Sequence, residues 1–195
     1  MFKVNSSFKQ EDIDTMSLKM SAQDDIHNVH MTGEVVDKIY KNGVLVDTIV
    51  GHNLVVNSFV RLVMSLIKNQ SGYRGATYWA IGSGAKSWDN ALPSPGIDEV
   101  KLTNELGRMP ISRDNIVFLD ENLEETSSPT NVIQITQTFG ANDCNGEWRE
   151  FAIFGGNATS TPNSGLMINK RHHKVITKTE DMSIERTIRF TLNLV

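Results

Sequence analysis

The sequence lacks most of the residue groupings on which enzyme chemistry depends. Cys144 is its one cysteine, so no disulfide bond can form within the chain, and folding in a reducing, intracellular environment is expected. No serine stands in the G-x-S-x-G context of a hydrolase nucleophile. Asp143, beside Cys144, disfavours the thiolate that a cysteine nucleophile needs. These absences predict a protein that is not an enzyme and that uses no cofactor.

Motifs for nucleotides and metal ions are incomplete. Gly82-Ser83-Gly84 follows a strand-like run, but Ser87 stands at the third glycine position of a dinucleotide fingerprint and no helix pattern follows. His27 and His30 lie near the pair Asp24-Asp25, without a third ligand group at metal spacing. The run ANDCNGE is rich in oxygen ligands but lacks the spacing of a calcium loop.

An excess of positive charge and a long apolar run are also missing. The formal net charge of −4 gives no general attraction to nucleic acid or to anionic membranes. Residues 1–16 lack the apolar run of a secretory signal. The most apolar stretch, residues 53–68, is too short and too polar for a membrane span. The expected partners are therefore other proteins, with no nucleic acid and no membrane among them.

That apolar stretch is the one helix-like segment in a chain that otherwise alternates like strand. In residues 53–68 apolar side chains recur at helical spacing, and polar ones form a narrow stripe opposite, which predicts a helix with a wide buried face. Asn53 is expected to cap its first turn. The residues expected to be buried are Val55, Val56, Phe59, Leu62, Val63, Leu66 and Ile67.

Strand-like runs fill most of the remaining chain. Asn42-Gly43 between two of them predicts a two-residue hairpin turn, because both residues tolerate positive φ. Residues 184–194 alternate cleanly, and Arg186, on their apolar face, is expected to reach solvent near the start of the strand. Glu105 and Arg108 are spaced to pair on a helical turn. The pattern predicts a mainly-β fold, an antiparallel β-sandwich with one amphipathic α-helix packed against it.

The first 28 residues differ in composition from the rest. They carry the acidic pairs Glu11-Asp12 and Asp24-Asp25 and too few apolar residues to form a core. We therefore expect an extended N-terminal arm, residues 1–28, and a single β-sandwich domain, residues 29–195. The arm is expected to dock on another subunit, by strand addition or in a groove. Its candidate contact residues are Phe2, Val4, Phe8, Ile13, Leu18 and Met20.

Two further segments supply candidate contacts. Lys170, Arg171 and Lys174 form a basic run that is expected to face the acidic arm of a neighbouring copy. The run has no interleaved aromatic residues, which argues against nucleic-acid binding. Trp88 lies in a loop rich in proline and glycine and is the exposed tryptophan expected from the sequence, which makes it a candidate glycan contact.

A series of segments also occurs in a characteristic order. It consists of NLVVN opening a helix, YWAIGSG, LTNELGRMPI, the late EFAIFGG strand, and GLMINKRHHKVITKTEDMSI before a terminal alternating strand. In that order, from Gly33 to Val195, the chain resembles a family of tailed-bacteriophage virion proteins found near tail fibres and baseplates.

The resemblance implies a non-enzymatic structural protein of the virion, assembled in the host cytoplasm. Such a protein would act as an adaptor in the tail, baseplate or fibre-attachment region, through contacts with further copies of itself and with other virion proteins. Two alternatives stay open. One is a glycan-binding receptor module of a phage tail, with Trp88 touching a host glycan, and the other is a head-tail connector or neck protein.

Overall fold

The computed structural model describes residues 29–194, and a curled antiparallel sheet accounts for most of them. The described strands are β1 (Val29–Lys41), β2 (Val44–Val55), β3 (Arg74–Gly82), β4 (Glu105–Pro110), β5 (Ile116–Leu119), β6 (Glu125–Thr126), β7 (Val132–Phe139), β8 (Gly146–Gly156), β9 (Leu166–Lys178) and β10 (Met182–Leu194). The α-helix α1 spans Ser58–Ile67, and single 3-10 turns occupy Lys86–Asp89 and Arg113–Asn115.

The predicted N-terminal arm, residues 1–28, lies outside the described residues. Its candidate contacts Phe2, Val4, Phe8, Ile13, Leu18 and Met20 lie outside them as well, and so does His27.

The described strands form one continuous sheet in the order β4-β3-β8-β9-β2-β1-β10-β7-β5-β6. Trp79 of β3 and Phe139 of β7 stand near opposite ends of that order, yet their ring centroids lie 6.4 Å apart. The sheet therefore curls until its two halves face each other across a core. This confirms the predicted mainly-β antiparallel fold. A sandwich of two separate sheets is not confirmed, because β2 pairs with both β1 and β9 and joins the halves.

Strands β3, β8 and β9 are covered on both of their faces. Trp79, Trp148 and Phe151 are buried on the inner face, in the core that the curled sheet encloses. On the outer face the loop between β3 and β4 folds back and buries Leu102 against a second apolar cluster, which comprises Val56, Ala80, Ala152, Phe154 and Met167. Successive side chains of a strand point to opposite faces, so neighbours on β9 enter different surroundings.

The hairpin between β1 and β2 forms as the sequence predicts. Lys41 pairs with Val44, and the two residues between them have positive φ, 49° at Asn42 and 78° at Gly43. These angles suit the type I′ turn, whose twist matches that of the flanking strands. The prediction of a two-residue turn at Asn42-Gly43 is confirmed.

The helix is shorter than predicted. Residues 53–55 continue β2, because Leu54 and Val55 pair with β9, and α1 begins only at Ser58. Asn53 is therefore not the N-cap. Asn57 holds that position without a side-chain capping bond. The wide buried face is also wrong, because Ile67 is 68% exposed and Leu66 is exposed as well.

Glu105 and Arg108 pair, but in a strand rather than on a helical turn. Positions three apart on a regular strand face opposite sides. Here the β3–β4 ladder slips so that Ile81 lies opposite Gly107 and Gly82 opposite Glu105, which leaves Leu106 as an extra residue. Both side chains thus reach the same side, and Arg108 Nε donates to Glu105 Oε1 at 2.6 Å in a buried ion pair.

Candidate functional site at the edge of β2

Strands β2 and β9 pair over a very short length. Leu54 and Val55 are the residues of β2 that pair with β9, whereas residues 44–53 pair with β1 on the other side of β2. Beyond the paired segment β9 forms no ladder with β2, and the chain just after β9 reaches the hairpin tip, where Asn42 N donates to the Asp181 carbonyl at 2.8 Å. The outer edge of β2 over residues 44–53 consequently has no strand partner among the described residues.

A cleft opens where the two strands diverge, and we call it the β2–β9 cleft. Its volume is about 390 Å³. The lining residues are Ile49, Leu92, Arg171, His172, His173, Lys174 and Ile176. Two members of the predicted basic run, Arg171 and Lys174, therefore line one cavity, and Lys174 is exposed at its rim.

Charged residues lie on the inner face beside this cleft. Arg186 of β10 is fully buried and donates two hydrogen bonds to Asp37 of β1. Nε donates to Oδ1, and Nη2 donates to Oδ2 at 2.8 Å. The Arg186 guanidinium also stacks 4.3 Å from the ring of Phe151. The prediction that Arg186 reaches solvent is wrong, because the curled sheet covers the start of β10 and Asp37 supplies the counter-charge.

Asp37 forms its ion pair with Arg186 and also feels the charge of a second guanidinium, that of Arg171. Burial raises the pKa of the Asp37 carboxyl, but the opposing effects of Arg186, His173 and Arg171 outweigh it and hold that pKa below its usual value. Two arginine charges therefore face one carboxylate. Arg186 Nη1 is buried and has no hydrogen-bond partner among the described residues.

Arg171 is the second guanidinium, and it is half-buried in the gap between β2 and β9. It packs so closely on the backbone of Gly51 that a Cβ there would come within 2.2 Å of Nη2. Burial lowers the pKa of Arg171, and Asp37 opposes that effect. Its Nη1 is buried and finds no hydrogen-bond partner in the described part of the chain. A buried donor of this kind is costly unless a partner satisfies it.

His173 lines the cleft in its neutral form. Burial foremost, and then the charge of Arg186, lowers its pKa from 6.5 to about 3. His173 Nδ1 lies 2.8 Å from the Lys174 carbonyl, which can only accept, so Nδ1 donates and Nε2 presents a lone pair. Nε2 is buried and without a hydrogen-bond partner among residues 29–194.

Lys170 does not belong to this site, although the sequence groups it with Arg171 and Lys174. It points to the outer face of the sheet and is buried, with its Nζ bonded to Glu99 and 3.0 Å from Glu150 Oε2. The prediction of Lys170 as a subunit contact is therefore wrong. Alternation along β9 separates it from Arg171, and two carboxylates already neutralise it.

Trp88 is also placed differently from the prediction. It is half-buried rather than exposed, and its ring stacks against His172 with centroids 4.2 Å apart. Gly84 lies directly against the same ring, since a Cβ there would come within 2.5 Å of it. The loop is held down by Arg149, whose Nε and Nη2 donate to Asp89 at 2.7 and 2.9 Å.

Cys144 has no nucleophilic character in this setting. Burial raises the pKa of its thiol to about 11, and the charge of Asp143 adds to the shift. The sequence alone indicates the effect of Asp143, which is the smaller of these two causes. Within residues 29–194 no group of three His, Cys, Asp or Glu side chains is arranged to hold a metal ion. The same residues contain no helix with the length and apolarity that crossing a membrane requires.

Asp37, Arg186 and His173 are the site residues that sequence reasoning missed. A signal for the first two was present. Asp37 alternates with the buried Val35 and Ile39, as Arg186 does with Ile184 and Ile188, so both strands carry a charge on the face expected to be apolar. Opposite charges at inward positions of two strands indicate a buried pair.

Comparison with protein-family models, with curated proteins and with solved structures found no match to this chain.

Proposed function

We propose that the protein is a non-enzymatic assembly subunit, an adaptor in the tail, baseplate or fibre-attachment region of a tailed-phage virion. The virion setting rests on the resemblance of the ordered sequence motifs to those of tailed-bacteriophage virion proteins. The assembly role draws its main support from the edge of β2 over residues 44–53, which has no strand partner among the described residues and which we call the free edge. An unpaired strand edge is a template for pairing with another chain.

The side chains along this edge strengthen the argument. Val44 is 65% exposed, Leu45 51%, Val46 56% and Val50 59%. Natural strand edges are usually guarded by charge, proline or a covering loop. Four exposed apolar side chains on one open edge instead form a surface that a partner strand or subunit would bury.

The glycan-binding alternative has less support from the geometry. Its candidate residue, Trp88, makes its ring contacts within the chain, with His172 and Gly84. No feature of the described residues favours a connector or neck position over a tail position.

Self-association measured by analytical ultracentrifugation tests the assembly role. Val46→Glu combined with Val50→Glu places two negative charges on the exposed β2 edge and is expected to shift the protein toward monomer. Leu123→Glu is a control for the added negative charge, because Leu123 is 48% exposed in the turn between β5 and β6, away from this edge. A wild-type protein that stays monomeric at all concentrations and is absent from purified virions would overturn the proposal.

A further inference from the structure

We infer that the β2–β9 cleft, together with the free edge of β2, is an acceptor site for an extended acidic peptide, the N-terminal arm (residues 1–28) of a second copy. The inference rests on the proposed assembly function and assigns to it a site and a partner.

The backbone of the site is suited to an extended segment. Residues 44–53 of β2 offer their outward N–H and C=O groups in a row, and the cleft runs beside Ile49 in the middle of that row. A peptide added to such an edge gains main-chain hydrogen bonds, while alternate side chains enter the neighbouring cleft. The apolar residues scattered through the arm would lie against the exposed valines of β2.

The polar groups of the cleft select the chemistry of the occupant. Arg171 offers a buried N–H without an acceptor, which a carboxylate would satisfy with a charge-assisted bond. His173 Nε2 offers a buried lone pair without a donor. A simple anion supplies acceptors only, whereas a peptide with an acidic side chain supplies a carboxylate and backbone N–H groups together.

The arm has the complementary composition. Glu11-Asp12 and Asp24-Asp25 are acidic pairs with an isoleucine directly after each. Asp37 is paired with Arg186, Arg171 has no ion-pair partner among the described residues, and Lys174 adds a charge at the rim. An acidic pair from the arm would balance this excess of positive charge.

The path of the chain favours a second copy over the same chain. Gly33 pairs with Asn53, so β1 begins near the α1 end of β2. The shortest route for an arm of the same chain along this edge would run parallel to β2. An arm from a second copy can approach antiparallel, which is the more stable pairing per residue.

Charge exchange in the full-length protein tests the assignment. Arg171→Glu and, separately, Asp24→Lys/Asp25→Lys and Glu11→Lys/Asp12→Lys are measured for self-association by ultracentrifugation. Arg171→Glu and at least one arm variant should weaken association by about tenfold or more. Arg113→Glu, the same change at an exposed site, should leave it unaltered. The arm variants keep the test informative if Arg171→Glu does not fold.

Mixing experiments distinguish the source of the arm. Association should be partly restored when Arg171→Glu protein is mixed with the disruptive arm variant, because a reversed cleft meets a reversed arm. Restoration only when both changes lie in one chain would show binding within the chain and overturn the second-copy assignment.

Competition identifies the ligand. A synthetic peptide of residues 1–28 should dissociate the wild-type oligomer, and the same peptide with Glu11→Gln, Asp12→Asn, Asp24→Asn and Asp25→Asn should be much weaker. Dissociation by acetate as effective as by the peptide would make the cleft a plain anion site and overturn the inference. A wild-type protein that stays monomeric refutes the second-copy assignment, and one that is also absent from purified virions refutes the proposed function itself. An oligomer whose self-association is unchanged by every one of these charge changes refutes the cleft assignment alone.

Discussion

Asp37, Arg171, His173 and Arg186 place polar chemistry in a core that is otherwise aliphatic and aromatic. Replacing a buried ion pair by apolar residues is often neutral or stabilising, so such a group is weak evidence for stability alone. In this protein the group lies beside a cleft and keeps buried nitrogens of Arg171, His173 and Arg186 without partners among the described residues. Unpartnered buried nitrogens beside a cleft are what the proposed acceptor site requires.

The state of His173 leads to a prediction for stability against pH. Its pKa is lowered from 6.5 to about 3 in the fold, so between these values the unfolded chain binds more protons than the folded one. The contribution of His173 to the free energy of unfolding is therefore fully present above the pKa it has in the unfolded chain, and it is lost as the pH falls toward the pKa it has in the fold. Between about pH 7 and about pH 5, His173 should therefore lower the free energy of unfolding by up to about 2 kcal/mol.

Urea denaturation at the two pH values measures this effect. His173→Gln should flatten the pH dependence, since glutamine does not titrate. Burial also lowers the pKa of His172, on the opposite face, so His172→Gln should flatten the pH dependence only in part and keep the slope that His173 contributes. Equal slopes in wild type and His173→Gln would show that His173 is not held neutral by the fold.

At the scale of elements, the hairpin between β1 and β2 carries residues 44–53, whose outer edge has no strand partner among the described residues. Gly43 has φ 78°, a left-handed conformation that β-branched residues strongly disfavour. Gly43→Val should destabilise the protein by about 1 kcal/mol or more, measured by thermal or urea unfolding. Gly75→Val is the matched control, because Gly75 is exposed, has no positive φ and leaves open space for a side chain.

Local patterns predicted some elements well and others poorly, for physical reasons. The turn at Asn42-Gly43 is set by the φ preferences of two residues, so the sequence alone determines it. Residues 53–55 carry apolar side chains that suit strand or helix equally, and only their pairing with β9 decides between the two. The pair of Glu105 and Arg108 was predicted from spacing, but the bulge that brings them together depends on register with β3.

At the scale of the whole molecule, the curl of the sheet decides what the sequence could not. It turns Arg186 from an expected surface residue into a buried one, an outcome that depends on contacts between strands remote in sequence. Alternation along β9 by itself separates Lys170 from Arg171, but the partners Glu99 and Glu150 that bury Lys170 come from remote parts of the chain. The mainly-β class depends only on alternation, and the structure confirms it.

Deletion of residues 2–28 tests whether the domain folds without the arm and whether the arm is required for self-association. The described residues contain their own core, with Trp79, Phe139, Trp148 and Phe151 fully buried. Docking that ordered the arm would cost about 1–2 kcal/mol of backbone entropy per residue and would therefore require compensating contacts, which we place on a neighbouring copy. The truncated protein should therefore keep its circular dichroism spectrum and cooperative unfolding but lose self-association.

If the arm instead docks on its own chain, the apolar pocket beside α1 is the place where it would do so. An apolar pocket of about 310 Å³ lies beside α1, lined among others by Met31, Leu62 and Phe190. Met31 lies only three residues beyond the arm, so an arm that packed its apolar side chains into this pocket would belong to the core of its own chain. Deletion would then expose the pocket and lower the unfolding midpoint, and a truncated protein that unfolds or aggregates would contradict docking on a neighbour.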